Sequence, residues 1–165
     1  MKSLLLGALL MSGMVSAASA ATGVLSQKNL SLDLADKLAQ QVLQVCAKDN
    51  YSVAVTVVDR AGNPLVIKRM DNAGPHTLEA SRMKAFTALS TKNATDNVMK
   101  SAQSNAGAAN LRDIPGFLLL AGGVPIKSGE QVIGAVGVGG APGGHLDQAC
   151  ALDALKSMQK EFTAA

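Results

Sequence analysis

Two histidines are the side chains of this sequence best suited to holding a metal ion or a cofactor. His76 follows a Gly-Pro pair at the expected start of a helix, and Glu79 and Met83 come three and seven positions later. A helix places residues at this spacing along one face, within reach of a common ion or cofactor. His145, beside a second glycine turn, is another imidazole with the same potential role. Capping and helix-dipole electrostatics explain a His and a Glu at a helix start equally well, so both interpretations stay open.

Three further side chains could complete such a site. Met70 ends an expected strand, so its thioether could face either the core or a site at the sheet edge. Arg69 and Lys84 flank the same region and could pair with carboxylates of a ligand, although solvated surface charges are the default. The sequence contains no Ser-His-Asp order, paired-carboxylate spacing or HExxH motif, so no motif points to hydrolysis.

Residues 139–144 form a glycine-rich stretch that resembles a phosphate-binding loop only superficially. Pro142 occupies the position where the dinucleotide fingerprint needs Gly or Ala, and no Lys-Ser/Thr pair completes a Walker motif. The favoured interpretation is conformational: the glycines supply the backbone freedom needed where a strand turns into a helix. Such a turn can still line a pocket.

The elements that must position these residues follow from the periodicity of apolar residues and from turn chemistry. Ser31 and Thr77 are the expected N-caps of two helices. The expected helices cover residues 31–49, 77–90, 94–103 and 147–162, and the expected strands cover residues 52–59, 65–70, 117–120, 124–127 and 131–138. The sequence therefore predicts an α+β fold, a five-stranded antiparallel sheet flanked by helices in the order α-β-β-α-α-β-β-β-α. Residues 104–116 are predicted to be a loop with room for a helical turn. Loops of this length are often functional.

The first twenty residues have the features of a cleaved signal peptide. Lys2 precedes an apolar run at residues 4–15, and an Ala-Ser-Ala motif at residues 18–20 provides the cleavage pattern. The run is too short to span the roughly 30 Å core of a bilayer, which argues against the alternative of a retained membrane helix. We expect residues 1–20 to be removed and the protein to be periplasmic or secreted, without a stable membrane anchor.

Residues 21–165 have the length of one compact domain. Without Lys2, 14 basic residues remain against 12 acidic ones, a net charge of +2, and no run of like charge occurs. The whole chain has one tyrosine, three phenylalanines and no tryptophan. A nucleic-acid surface needs clustered cations and stacking rings, so this composition argues against such a partner.

Cys46 and Cys150 are the only cysteines of the sequence. Export to an oxidising compartment permits a disulfide between them, and the chain-entropy model gives such a bridge about 4 kcal/mol of stabilisation. Two buried free thiols are the alternative, because the sequence does not give the distance between the two residues.

Several ordered motifs resemble the GlcG/HbpS-like family of haem-binding proteins. The matching segments are residues 55–64, 69–73, 84–88, 114–116, 122–126 and 132–141, followed by Asp147 and Ala149 in the last helix. Asn72 departs from the pattern, since many members carry Gly there, but both residues tolerate a positive φ. The resemblance covers the chain from about Leu30 to Phe162.

The resemblance implies a profilin-like fold, haem as the cofactor and a tendency to form homo-oligomers. The positions that match the family's site are Arg69, Met70, Asp71, Lys84, Gly122, Gly123 and Asp147. His76 and His145 are the axial ligands that the resemblance suggests for haem iron, and His76 with Glu79 is the predicted metal pair. The scarcity of aromatic residues favours a shallow site or one at an oligomer interface.

These observations predict an exported protein that sequesters or senses haem, without catalysis of its own, working with a sensor or transport partner protein. The first alternative is an accessory or sensory protein that binds a small organic acid through its glycine turns and Arg/Lys groups. A haem-degrading enzyme is the least favoured alternative, because the sequence lacks a recognisable catalytic constellation.

Overall fold

The computed structural model describes residues 23–163, so the predicted signal peptide lies outside the described residues. Within that range the chain forms five α-helices, one 3-10 helix and four β-strands. The helices are α1 (Leu32–Lys48), α2 (Thr77–Thr91), α3 (Thr95–Ser104), α4 (Gly144–Ser157) and α5 (Gln159–Thr163), with the 3-10 helix at Ala106–Asp113. The strands are β1 (Ala54–Asp59), β2 (Pro64–Arg69), β3 (Gly123–Ser128) and β4 (Gln131–Gly139). None of the described helices is long and apolar enough to cross a membrane.

The helix α1 forms as its sequence predicts. The hydroxyl of Ser31 caps it by accepting the Leu34 N–H at 3.2 Å. Its residues Leu38, Val42 and Cys46 recur every four positions and are fully buried. The apolar stripe of α1 therefore docks the helix on the sheet.

The sheet has the strand order β2-β1-β4-β3, and all three pairings are antiparallel. Side chains alternate across it: Val55 and Val57 pack in the cluster that contains α1 and α4, whereas Thr56 bonds to Ser81 of α2 at 2.8 Å. The sheet is thus the middle of three layers, with α1 and α4 on one face and α2 on the other. Because both faces are covered, β1 is buried along almost its whole length.

Glycine allows α2 to pack unusually close to β4. A Cβ on Gly137 would overlap the Ser81 carbonyl oxygen and lie 2.5 Å from the Ala85 amide nitrogen. The backbone of α2 therefore rests directly on the sheet at this point, a contact that excludes any side chain. This close approach brings Lys84, which is also on α2, within reach of the end of β4.

The structure corrects the prediction of a fifth strand at residues 117–120. In the described chain the sheet has four strands, and this segment is an extended loop outside it. Its Leu118 N–H donates to the Thr87 hydroxyl at 2.9 Å, and the Phe117 ring contacts the Phe86 ring edge to face. The segment is bound to α2 by a side chain and a ring contact, so its backbone joins no strand ladder.

Two helix boundaries also differ from the prediction. Thr77 is the first residue of α2, not its cap: its hydroxyl donates to the Gly74 carbonyl, and His76 occupies the cap position without a side-chain hydrogen bond. The closing helix begins at Gly144 instead of Asp147 and is interrupted at Met158, after which α5 follows. The predicted loop at residues 104–116 contains an eight-residue 3-10 helix, which is longer than the single helical turn predicted there.

Cys46 of α1 and Cys150 of α4 form a disulfide, with their Cα atoms 5.4 Å apart. The structure therefore favours the bridge over two free thiols. It closes a loop across 104 positions of sequence and fastens together the two helices on one face of the sheet. Both cysteines are buried, so the bridge is protected from solvent.

We expect Gly137→Ala to lower the free energy of unfolding by about 1–3 kcal/mol, because the added methyl group forces α2 away from β4. Gly139→Ala is the matched control in the same strand, since the nearest atom to its Cβ would be 3.5 Å away. Urea denaturation of both variants measures the difference. Equal unfolding midpoints for the two would contradict this account of the packing.

Candidate functional site

A buried ion pair lies where α2, β4 and α4 meet. The Lys84 ammonium donates to Asp147 Oδ2 at 2.8 Å and to the Val138 carbonyl oxygen at 2.9 Å. Its side chain is 2% exposed and that of Asp147 is 4% exposed. The other carboxylate oxygen, Asp147 Oδ1, accepts the Ala141 N–H at 2.9 Å. These contacts fasten the turn after β4 and the first turn of α4 to α2.

Two of the predicted site residues, Gly122 and Gly123, lie directly against this pair. Gly122 has φ +125°, and a Cβ there would be 2.9 Å from the Lys84 ammonium nitrogen. A Cβ on Gly123 would overlap the Lys84 carbonyl, and the Gly123 N–H donates to the Thr95 hydroxyl at 2.9 Å. The structure therefore brings together Lys84, Gly122 and Gly123, as one closely packed junction.

Burial raises the pKa of the Asp147 carboxyl above its ordinary value, while hydrogen bonding to Lys84 and to the Ala141 N–H opposes that shift. The two partners therefore hold the Asp147 carboxylate in a buried site. The Lys84 ammonium is paired with Asp147 and bonded to the Val138 carbonyl oxygen. Lys84 therefore positions the junction and presents no free ammonium to a ligand.

The remaining predicted residues lie apart from this junction. Met70 Sδ accepts the Val53 N–H at 3.4 Å, and its side chain packs against the main core cluster. Arg69 is exposed and donates to the Ala73 carbonyl oxygen at 2.8 Å. Both side chains therefore hold the turn after β2.

His76 and His145 are both exposed at the starts of helices. Each imidazole lies against the glycine two positions before it, Gly74 and Gly143 respectively. Neither imidazole is enclosed by the protein. Their predicted role as axial ligands stays a prediction.

Glu79 faces Arg82 on the surface of α2. The Arg82 guanidinium donates to both carboxylate oxygens, with Nε 2.9 Å from Oε2. This hydrogen bonding holds the pKa of the Glu79 carboxyl below its ordinary value. Within residues 23–163 no group of three or more His, Cys, Asp and Glu side chains is arranged to hold a metal ion, so the His76/Glu79 pair stays a prediction as well.

A cleft of about 630 Å³ opens between α3, the 3-10 helix and the loop at residues 117–119. Its size lies within the roughly 300–1,000 Å³ range of small-molecule and cofactor sites. Seven of its ten lining residues are apolar, and three of these are alanines. The lining side chains are Met99, Ala102, Gln103, Ser104, Ala106, Ala109, Arg112, Phe117, Leu118 and Leu119.

Arg112 is the charged side chain of the cleft lining. Its Nε donates to the Ala109 carbonyl oxygen at 2.8 Å, which orients the guanidinium at the cleft edge. The described lining contains no carboxylate to neutralise it. The terminal nitrogens are therefore suited to an anionic group on a ligand.

Sequence reasoning missed this cleft. Met99 lies in the predicted helix at residues 94–103 and Arg112 in the predicted loop at residues 104–116, and neither was predicted to belong to a site. Two signals pointed toward the region: the unusual length of the loop at residues 104–116, and the apolar run that follows it at residues 117–120. Neither signal reveals that the two segments face each other across α3.

The family model described as "Haem degrading protein HbpS-like" matches residues 30–156 of this chain. The chain belongs to the HbpS-like family. Protein GlcG of Escherichia coli (strain K12) is 33% identical over 109 residues, which cover 66% of this chain and 80% of GlcG. These matches confirm the GlcG/HbpS-like resemblance of the sequence motifs.

Solved structures share the fold of this HbpS-like chain. The crystal structure of HbpS is 40% identical, with a TM-score of 0.78, and the match covers 84% of this chain and 98% of HbpS. The structure titled "PduOC:Heme Complex" is 22% identical, with a TM-score of 0.71, and the match covers 78% of this chain and 94% of that one. The mixed α+β architecture, an antiparallel sheet flanked by helices, is thus confirmed, and its profilin-like character with it.

We expect Asp147→Ala to destabilise this HbpS-like protein by about 3–5 kcal/mol, because it leaves the Lys84 ammonium buried without its counter-charge. The double variant Lys84→Met/Asp147→Leu should recover most of that loss, since it removes both charges and keeps apolar volume. Asp33→Ala, which breaks the exposed pair with Lys37, should change stability by less than about 1 kcal/mol. Chemical denaturation measures the unfolding free energies of the three variants. A double variant no more stable than Asp147→Ala would contradict the conclusion that the unpaired Lys84 charge causes the loss.

Proposed function

We propose that this chain is an exported haem-binding protein that sequesters or senses haem and has no catalysis of its own. The cleft beside α3 carries the proposal, because it combines cofactor-sized volume with an apolar lining and one oriented cation. Membership of the HbpS-like family and the haem complex of the structural neighbour PduOC give further support.

The cleft residues fit the chemistry of haem. A planar macrocycle needs apolar surface to pack against, and the lining supplies Ala102, Ala106, Ala109 and Phe117. Arg112 would pair with a propionate group, and the Met99 thioether belongs to a class of ligand that haem iron accepts. Bound haem would supply a redox-active iron, while the chain's own residues hold and shield the ring.

The same lining supports a binding role over a catalytic one. Its described side chains include no imidazole, carboxylate, thiol or phenol that could transfer a proton. The Arg112 guanidinium offers only N–H donors. The haem-degrading alternative therefore has less support than sequestration or sensing.

The organic-acid alternative rests on the glycine turn after β4, and the contacts of that turn weaken it. The Ala141 N–H donates to Asp147, and the N–H groups of Leu146 and Asp147 both donate to the Gly143 carbonyl oxygen. These donors are committed within the protein and do not converge on an open cradle. The cleft remains the better-supported ligand site.

Self-association and a sensor or transport partner protein are part of the proposal. Exposed Leu78, Leu120 and Leu152 lie on three different elements of the surface. Apolar side chains exposed singly are ordinary on a protein surface, so the family resemblance is the main support for this part of the proposal. A shallow cleft completed by a second copy agrees with the low aromatic content of the chain.

We expect the mature, tag-free protein to bind haemin with a saturable Soret shift at one equivalent per subunit. Ala106→Trp should abolish the shift, because an indole at this exposed position fills the cleft. Ala47→Trp, at an exposed position of α1 outside the cleft lining, is the matched control and should bind as the wild type does. Absorbance titration of the three proteins measures the effect.

His76→Ala and His145→Ala belong in the same titration. Unchanged binding in both places the ligand elsewhere, and loss of the Soret shift in His76→Ala with normal binding by Ala106→Trp would overturn the cleft as the site. A change that neither saturates nor responds to any variant would mean nonspecific adsorption and would refute haem binding. A thermal-shift screen with small organic acids then tests the alternative ligand class.

Export predicts a particular mature protein. When the full chain is produced in a bacterium with two membranes, we expect its periplasmic fraction to contain a protein beginning at Ala21, by intact mass. That protein should show no free thiol when denatured without reductant, since Cys46 and Cys150 form the disulfide. Leu9→Arg, which breaks the apolar run, should leave uncleaved chain in the cytoplasm. Recovery of the wild type with residues 1–20 attached and two free thiols would contradict export.

A further inference from the structure

We infer that Met99 is the residue of this chain that binds haem iron, and that its thioether makes the cleft prefer ferrous over ferric haem. The inference rests on the proposed haem function and goes further by assigning the ligand and the redox state it favours.

The position of Met99 on α3 directs it to the cleft. Met99, Ala102 and Gln103 are spaced three and four positions apart and all line the cleft. Thr95, one turn before Met99 on the same face, and Val98, the residue before Met99, are both buried. Met99 itself is half-buried, so part of its side chain is exposed to the cleft that it lines.

The chemistry of the lining singles out Met99. The guanidinium of Arg112 has N–H donors and no acceptor, and alanine, leucine and phenylalanine side chains have no lone pair. Gln103 and Ser104 offer hard oxygen atoms, whereas thioethers and imidazoles are established haem ligands. Of the side chains known to line the cleft, Met99 alone carries such a group.

Other sulfur and imidazole groups of the described chain are placed differently. Met70 Sδ is engaged by the Val53 N–H within the core. Met158 is buried in the same core cluster. Both imidazoles lie outside the cleft lining, at the starts of α2 and α4. None of these side chains can replace Met99 without moving the ring out of the cleft.

A thioether ligand has a thermodynamic consequence. Methionine is a soft, neutral ligand that stabilises ferrous relative to ferric iron, and axial methionine raises the reduction potential of haem. If binding to the protein raises the reduction potential of haem, thermodynamic linkage requires the protein to bind ferrous haem more tightly than ferric haem. The size of the shift in potential sets the ratio of the two affinities. Arg112, which would pair with a propionate in either redox state, contributes to both affinities. The cleft would therefore bind haem in both redox states and hold the ferrous form more tightly.

The test compares the affinities of wild type, Met99→Leu and Met158→Leu for ferrous haem, kept reduced anaerobically with dithionite, and for ferric haem; Met158 is a core methionine outside the cleft lining. Leucine approximately conserves the volume of methionine, so the fold should be retained. We expect the wild type and Met158→Leu to bind ferrous haem about tenfold more tightly than ferric haem, and Met99→Leu to bind both about equally. Met99→His should restore iron ligation and give a shifted Soret band absent from Met99→Leu.

Metal-free protoporphyrin IX separates this inference from the proposed function. It has the ring and propionates of haem but no iron, so wild type and Met99→Leu should quench its fluorescence with equal affinity. If both porphyrins bind and Met99→Leu keeps the wild-type ferrous-to-ferric ratio, Met99 is not the ligand and only this inference fails. If neither protoporphyrin nor haem binds to the wild type, the proposed function itself fails.

Discussion

The withdrawal of the Lys84 ammonium from water is the constraint on which the arrangement of this protein depends. A buried cation is tolerated only when it is paired and hydrogen-bonded, so α2 must lie where both Asp147 and the Val138 carbonyl can reach it. The same close approach leaves no room for a side chain at Gly123 and Gly137, where the backbone of α2 meets the sheet, or at Gly122, beside the ammonium. The contact between α2 and the sheet therefore depends both on close packing and on the pairing of the Lys84 charge.

The same helix links this junction to the cleft. Two and three positions after Lys84, Phe86 contacts the Phe117 ring and Thr87 accepts the Leu118 N–H. These two contacts fix one wall of the cleft. On the other side of the sheet, Asp147 lies one helical turn before Cys150, so the placement of α4 by the ion pair also presents that cysteine to Cys46. The candidate site and the disulfide therefore both depend on how α2 and α4 are joined.

The sequence predicted those parts of the fold in which local patterns and tertiary packing agree. The apolar period of α1 and its Ser31 cap are one such case. In α2 the two disagree: Leu78 is exposed, while Thr77, Ser81 and Lys84 are buried. The buried polar face is satisfied by partners distant in sequence, such as Thr56 for Ser81, and no local period reveals them. The prediction of a strand at residues 117–120 was wrong for a related reason. A short apolar run is compatible both with a strand and with a loop packed against a helix. The cleft was invisible because its walls come from three separate segments.

The contrast between the rigid junction and the cleft wall bears on how a ligand would enter. The 3-10 helix that forms one wall has no buried residue and is held mainly by its own local hydrogen bonds. Segments with few buried contacts open at a lower free energy than the core does. The opposite wall is secured to α2, whose position the buried ion pair fixes. A planar ligand could therefore enter by displacing residues 106–113 alone, with the sheet, the ion pair and the disulfide left intact. Such a cleft wall would let the proposed ligand enter and leave without unfolding the core.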